Sequence, residues 1–180
     1  MIIKSKELLS QLNKLVTSHI EYAKYLKTIT KEELQRKSSS KSWSVTECIE
    51  HLNLYAAFYN LEIARRMEKS SLKNSENFKS GYLGNKFAND MLPKDTMKTM
   101  QTFKSKNPIY SKLGKDLVLT NFITLQEELL DLLNIAQNKN LTRIKTSITL
   151  PLLKFRLGDT FRFVIYHNER HIVQAKKNIG

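Results

Sequence analysis

Residues 42–63, SWSVTECIEHLNLYAAFYNLEI, contain a helix start followed by a long run of helical periodicity. Ser44 and Glu47 fit the S-x-x-E capping box, in which each side chain accepts a hydrogen bond from the backbone N–H of the other residue. The helix is therefore predicted to begin near Val45. Its apolar and aromatic side chains recur at spacings of four and three, which places them on one face. These residues are Val45, Ile49, Leu52, Ala56, Tyr59 and Ile63.

Three further segments carry the same period, and the predicted helices span about residues 4–28, 119–136 and 158–178. Asp159 is a candidate cap for the last of them, because its charge suits a helix N-terminus. There is no convincing strand pattern and no internal repeat. The sequence therefore predicts an all-α fold, a four-helix bundle that forms a single domain over residues 1–180.

The periodicity is lost from about residue 70 to residue 114, between the second and third predicted helices. So long a loop in a small domain tends to cover a functional site or an interface. A short helical turn is expected around Asp95–Phe103. Residues 141–157, LTRIKTSITLPLLKFRL, are expected to form an extended connection closed by Pro151.

The composition narrows the class of protein. Hydrophobic residues make up 41% of the 180 residues, which is enough for a core and argues against disorder. The single cysteine excludes a disulfide framework and favours a reducing compartment. No stretch approaches the roughly 20 apolar residues of a membrane span. The N-terminus, MIIKSKELLSQLNKL, does not resemble a signal peptide. A cytoplasmic protein that does not contact membranes is the resulting expectation.

The net charge of +13 raises the question of a nucleic-acid partner. The excess is spread over the termini and loops, however, and the segments 42–61 and 117–138 carry −2 and −3. The sequence contains no Arg-rich run, no RNA-binding aromatic signature and no Cys/His finger. A nucleic-acid partner is therefore not expected, although the charge can steer a small anionic substrate.

His167 and His171 form the most informative pattern, in YHNERHIVQ of the last predicted helix. Residues at i and i+4 lie on one face with Cβ atoms about 6 Å apart, so two imidazoles there can bind one metal ion. Gln174 continues this face at i+7, whereas Glu169 points to the far side. The pair is thus distinct from the H-E-x-x-H motif of zinc proteases.

A third ligand would strengthen the case for a metal site. His51 lies beside the core stripe of the second helix, and packed helices are about 8–10 Å apart, so it can reach the pair. His19 competes for this role, although its position on the apolar stripe of the first helix also suits a core histidine. Three protein ligands with an open position are typical of a reactive metal site.

Three residues near His51 are candidates for supporting roles. Glu47 is a candidate catalytic base, and its place in the capping box explains it equally well. Cys48 can approach the metal or serve as a small buried hydrophobe. Tyr55, at i+4 from His51, is expected either to line the pocket or to pack in the core.

Two stretches resemble the DinB-like superfamily. KSWSVTECIEHLNLY (41–55) is similar to the tryptophan-serine start of that family's second helix, with its single histidine. LPLLKFRLGDTFRFVIYHNERHIVQAKK (150–177) is similar to its closing segment, with a Leu-Gly-Asp/Thr helix start and H-x-x-x-H followed by Gln. The resemblance implies a bundle with up-down-down-up connectivity. It also implies a divalent metal, zinc or nickel, held by three histidines, which here are His51, His167 and His171.

The resemblance also bears on activity, because family members include thiol-dependent transferases and isomerases as well as proteins described as metal-dependent hydrolases. An ion held by three neutral histidines lowers the pKa of a bound water or stabilises a substrate thiolate. A metal-dependent hydrolase or thiol transferase is therefore expected, acting on a small molecule. The alternative is a non-catalytic bundle that binds a metal or a partner. Whether the protein forms a homodimer is left open. Because residues 70–114 are an insertion relative to the shortest family members, the position of a substrate pocket cannot be transferred from the family to this sequence.

Overall fold

A computed structural model describes residues 1–40, 42–94, 101–111 and 114–179. Its helices are α1 (Ser5–Leu26), α2 (Lys31–Gln35), α3 (Val45–Glu68), α4 (Tyr82–Met91), α5 (Val118–Ala136) and α6 (Leu157–Lys176). Its strands are β1 (Ile2–Lys4), β2 (Asn77–Lys79), β3 (Lys145–Ser147) and β4 (Lys154–Arg156). Single 3₁₀ turns occupy Lys104–Lys106, Pro108–Tyr110 and Lys115–Leu117. The all-α prediction is confirmed, and the four predicted helices are α1, α3, α5 and α6.

The side-chain contacts between long helices fix their directions. Contacts that advance together along two helices indicate a parallel pair, and contacts that run in opposite senses indicate an antiparallel pair. By this criterion α1 is parallel to α6, α3 is parallel to α5, and α3 is antiparallel to α6, which is the up-down-down-up connectivity. Helices α1 and α6 are joined by His19–Glu169 and Tyr22–Lys176, and α3 and α5 by Asn53–Val118 and Asn60–Leu125. Helices α3 and α6 are joined by His51–His167 and Tyr59–Phe163.

The start of α3 follows the capping box predicted from the sequence. The Ser44 hydroxyl accepts from the Glu47 N–H at 3.2 Å, and the Glu47 carboxylate accepts from the Ser44 N–H at 2.8 Å. Such caps satisfy backbone donors that have no partner within the helix. The buried face then carries Val45, Ile49 and Leu52 into the core. The helix start therefore fixes where His51 lies along the bundle.

The predicted loop over residues 70–114 is partly wrong. It contains β2, which pairs antiparallel with β1, and the ten-residue helix α4, which packs against α6. The short turn expected around Asp95–Phe103 falls largely on 95–100, outside the described residues. Likewise, β3 and β4 pair antiparallel within the predicted extended connection. Strands of three residues are too short to produce a recognisable alternation, which explains their absence from the prediction.

Asp159 joins α6 to α4 and does not cap its own helix. The N-cap position of α6 is Arg156, and it makes no side-chain cap hydrogen bond. The Asp159 carboxylate accepts instead from the N–H of Gly81 at 2.7 Å, which is the N-cap residue of α4, and from Ser80 and Arg162. This carboxylate is fully buried and satisfied by several donors, so it fixes α4 on the bundle.

Within the described ranges, no helix is both long enough and apolar enough to cross a membrane.

Candidate metal centre

Three histidines converge where α3 crosses α6. His51 comes from α3, and His167 and His171 come from successive turns of α6. Because the two helices are antiparallel and in contact, the single histidine faces the pair. One nitrogen from each ring lies within 4.8 Å of the others. His51 and His167 are buried, and His171 is half-buried. The structure thus brings together His167 and His171, which the spacing paired, and His51, the third ligand that the resemblance implied.

The Nε2 atoms of His51 and His167 are 3.3 Å apart. Two ligands of a tetrahedral zinc ion, each at about 2.0–2.1 Å, are separated by about 3.3–3.4 Å. The observed separation matches the edge of such a tetrahedron, and it is also within hydrogen-bonding distance. Nitrogen ligands of neutral imidazole also suit zinc and nickel. Both the geometry and the donor set fit a divalent ion.

The outer nitrogens of two rings are held by acceptors. His51 Nδ1 donates to the carbonyl oxygen of Lys106 at 2.7 Å, and His171 Nδ1 donates to Gln174 Oε1 at 2.9 Å. A ring that donates from Nδ1 in its neutral form carries its lone pair on Nε2. These partners therefore select the tautomer that can bind a metal through Nε2, as the outer hydrogen bonds of metal-binding histidines do.

Burial keeps the imidazoles neutral. Desolvation lowers the pKa of His51 to about 4 and that of His171 to about 3. The pKa of His167 is also lowered well below its ordinary value, first by burial and then by its histidine neighbours. Metal binding requires the unprotonated ring, so the site is ready for a cation at neutral pH.

Aromatic rings line the histidines. The Trp43 ring lies 4.7 Å from the His51 ring and 5.8 Å from the His171 ring, measured between centroids. Tyr55 lies 4.9 Å from His51 and 4.7 Å from His167. These rings exclude water from the flanks of the cluster, and a lower local dielectric strengthens any charge interaction there. Tyr55 therefore lies beside the histidines and also packs against the hydrophobic core, so its position is compatible with both roles expected of it.

A sequence model of the DinB superfamily matches residues 15–175, which is most of the chain. The chain belongs to the DinB superfamily. No curated protein and no solved structure gives a significant match.

The other candidates in this DinB-superfamily chain lie outside the three-histidine group. The Glu47 carboxylate accepts from Ser44 and from the Lys37 ammonium at 2.7 Å. Burial raises the pKa of Glu47, but these hydrogen bonds outweigh it, so its pKa lies below the ordinary value. Cys48 is buried among apolar residues, and desolvation raises the pKa of its thiol to about 12. Its thiolate is therefore disfavoured at neutral pH.

His19 pairs with Glu169 on the opposite face of α6. Its Nε2 lies 2.8 Å from the Glu169 carboxylate, and its side chain is 1% exposed. This hydrogen bond lowers the pKa of Glu169. Of the two roles considered for His19, the geometry favours the core histidine with a satisfied nitrogen.

Lys106 is the neighbour of the site that the sequence reasoning missed. It belongs to the 3₁₀ turn Lys104–Lys106, which contacts α3. Its carbonyl holds His51, and its ammonium lies over Tyr55 at 5.6 Å from the ring centroid. The only sequence signal was the length of the central segment, which suggested a cover over a functional site without identifying a residue.

Proposed function

We propose that the protein binds one divalent metal ion, zinc or nickel, through His51, His167 and His171. The observation that carries the proposal is the 3.3 Å separation of two Nε2 atoms, with the His51 tautomer fixed by Lys106. Membership of the DinB superfamily supports it independently. Three protein ligands leave a coordination position for a substrate, as in catalytic zinc sites.

We further propose that the metal-loaded protein is an enzyme, either a hydrolase or a thiol transferase. When bound, a divalent ion supplies a Lewis acid that lowers the pKa of a water or thiol. The residues of the chain supply the rest: Lys106 and Gln174 orient imidazoles, and Trp43 and Tyr55 limit access of bulk water. The substrate in this proposal is a small molecule that enters beside Tyr55.

The metal content of protein purified without a histidine tag tests the first step. We expect about one equivalent in the wild type and a large loss in His51→Ala and His167→Ala, because two remaining imidazoles bind weakly. His19→Gln is the matched control, since it changes a buried histidine outside the group. Equal metal in the wild type and the two alanine variants would contradict the three-histidine site.

A substrate panel then separates an enzyme from a scaffold. Thiols offered with electrophiles test transferase activity, and esters and amides test hydrolase activity. Turnover that is lost on chelation and restored by zinc or nickel supports the enzyme. A metal-loaded protein that is inert across the panel favours the alternative, a metal-binding or partner-binding bundle without catalysis.

The proposal also covers the oligomeric state, the location and the absence of a nucleic-acid partner. Light scattering of the purified protein tests for a homodimer. The cytoplasmic location stays a prediction from the sequence. We do not expect nucleic acid as a partner. If the +13 charge did drive binding to nucleic acid, the affinity would fall steeply with increasing salt concentration. The absence of any salt-sensitive binding would agree with this expectation.

A further inference from the structure

The ammonium group of Lys106 lies at the edge of the histidine cluster. It donates to the backbone carbonyl of Leu54 on α3, and it lies 5.6 Å and 5.9 Å from the ring centroids of Tyr55 and Phe58. The residue is half-buried, and desolvation lowers the pKa of its side chain. A lysine ammonium has three donors, so the bond to Leu54 leaves donors for a further acceptor.

No carboxylate of the described residues lies within ion-pair distance of this ammonium. Other lysines of the chain are paired: Lys31 with Asp116, Lys37 with Glu47, and Lys86 with Asp90. A partly desolvated charge is costly unless an opposite charge or strong acceptor compensates it. The ammonium is therefore suited to an anion that comes from outside the chain.

The ring of Tyr55 links the ammonium to the proposed metal ligands. It is in contact with the rings of His51 and His167 and also lies beneath the Lys106 ammonium. A molecule only a few bonds long can therefore lie along Tyr55, with one end at the histidines and the other at Lys106. The face of the Tyr55 ring would contact the carbon atoms in between.

The charge balance of the site also favours an anion. Three neutral imidazoles leave the full charge of a divalent ion uncompensated. The acidic residues nearest in sequence to these ligands are engaged elsewhere, because Glu50 accepts hydrogen bonds from Asn53 and Ser111, and Glu169 binds His19. The charges of the ion and of Lys106 add, so an anionic ligand is attracted at both of its ends.

We propose that Lys106 binds a carboxylate of the substrate and determines its specificity. The substrate class is a small molecule that carries a metal-binding group, such as a thiol, a few bonds from a carboxylate. This inference rests on the proposed metal site and extends it, because it assigns a role to a residue in the segment between α3 and α5. The bond is a charge-assisted hydrogen bond, which is stronger than a neutral one.

The test uses the full chain loaded with Co²⁺, whose absorption spectrum reports a bound thiolate. Mercaptoacetate, 3-mercaptopropionate and 4-mercaptobutyrate are each titrated against the uncharged amide of the same length. For at least one length, we expect the wild type to bind the acid about tenfold more tightly than the amide. Lys106→Gln removes the charge and keeps a donor for Leu54, so the ratio should fall towards one.

Lys106→Arg should retain the preference, because it keeps the charge. Lys104→Met is the matched control, since Lys104 lies on the same 3₁₀ turn and its ammonium faces Tyr110 instead. The ratio of acid to amide affinity cancels any general weakening of the site. A wild type without a preference, or a preference that survives in Lys106→Gln, overturns the role of Lys106 even if that variant binds both ligands weakly. A wild type that binds no Co²⁺ overturns the metal site and this inference together.

Discussion

The imidazole of His51 donates from Nδ1 to the carbonyl oxygen of Lys106 at 2.7 Å, although the two residues are 55 positions apart in the chain. The hydrogen bond joins α3 to the central segment and leaves the His51 lone pair on Nε2, towards His167. The segment that interrupts the bundle pattern thus contributes to the site. Gln174 has the corresponding role for His171.

Replacement of Gln174 should weaken metal binding without unfolding the protein. Gln174→Ala removes the acceptor that orients His171, and loss of such an outer partner lowers metal affinity by about tenfold to a hundredfold. Gln174→Glu keeps an acceptor and should bind at least as tightly as the wild type. Competition with a chromogenic chelator measures both affinities. An unchanged affinity in Gln174→Ala would show that the hydrogen bond does not orient the ligand.

The long helices were predictable because each buries one continuous face, which produces a period of four and three in the sequence. The capping box located the start of α3 in the same way, since its signal lies within four adjacent residues. The sequence showed only that His51 can reach the pair on α6 if the two helices pack together. The contact itself depends on the antiparallel packing of α3 and α6, which are distant in the chain.

The central segment could not be predicted for a physical reason. The position of α4 depends on hydrogen bonds that the Asp159 carboxylate accepts, one of them from the N–H of Gly81, 78 residues away. Lys106 likewise acts through its backbone carbonyl, which every residue possesses, so its side chain gives no signal of that contact. Interactions of this kind depend on tertiary structure and leave no local pattern.

Glu47 should contribute to stability rather than to proton transfer. Glu47→Ala removes half of the capping box and should lower the free energy of unfolding by about 0.5–2 kcal/mol, with metal content unchanged. Glu47→Gln preserves the box, because glutamine also occurs at this position, but cannot act as a base. On any substrate that is turned over, it should retain activity. A fall of about a hundredfold or more would instead identify Glu47 as the base.

The metal-free protein should lose stability as the pH falls from about 6.5 to about 4. The folded pKa of His51 is lowered to about 4 by burial, and that of His167 is also lowered, so the unfolded chain binds more protons in this range. Each such histidine changes the free energy of unfolding by about 1.4 kcal/mol per pH unit. Urea unfolding of chelator-treated protein at pH 7 and pH 5 measures the effect. The variant His51→Gln/His167→Gln should show a clearly smaller pH dependence, and an equal one would contradict buried neutral rings.

Gly84 should be intolerant of any side chain, because it is the point at which α4 touches α6. A Cβ atom there would lie 2.6 Å from the Cβ and 2.7 Å from the Oδ2 of Asp159, which is fixed by its own hydrogen bonds. Overpacking of this kind costs about 1–3 kcal/mol. Gly84→Ala should therefore lower the urea midpoint, whereas Gly114→Ala, with no atom within 4 Å of the added methyl, is the matched control and should leave it nearly unchanged. If both variants unfold at the wild-type midpoint, α4 does not pack on Asp159 in solution.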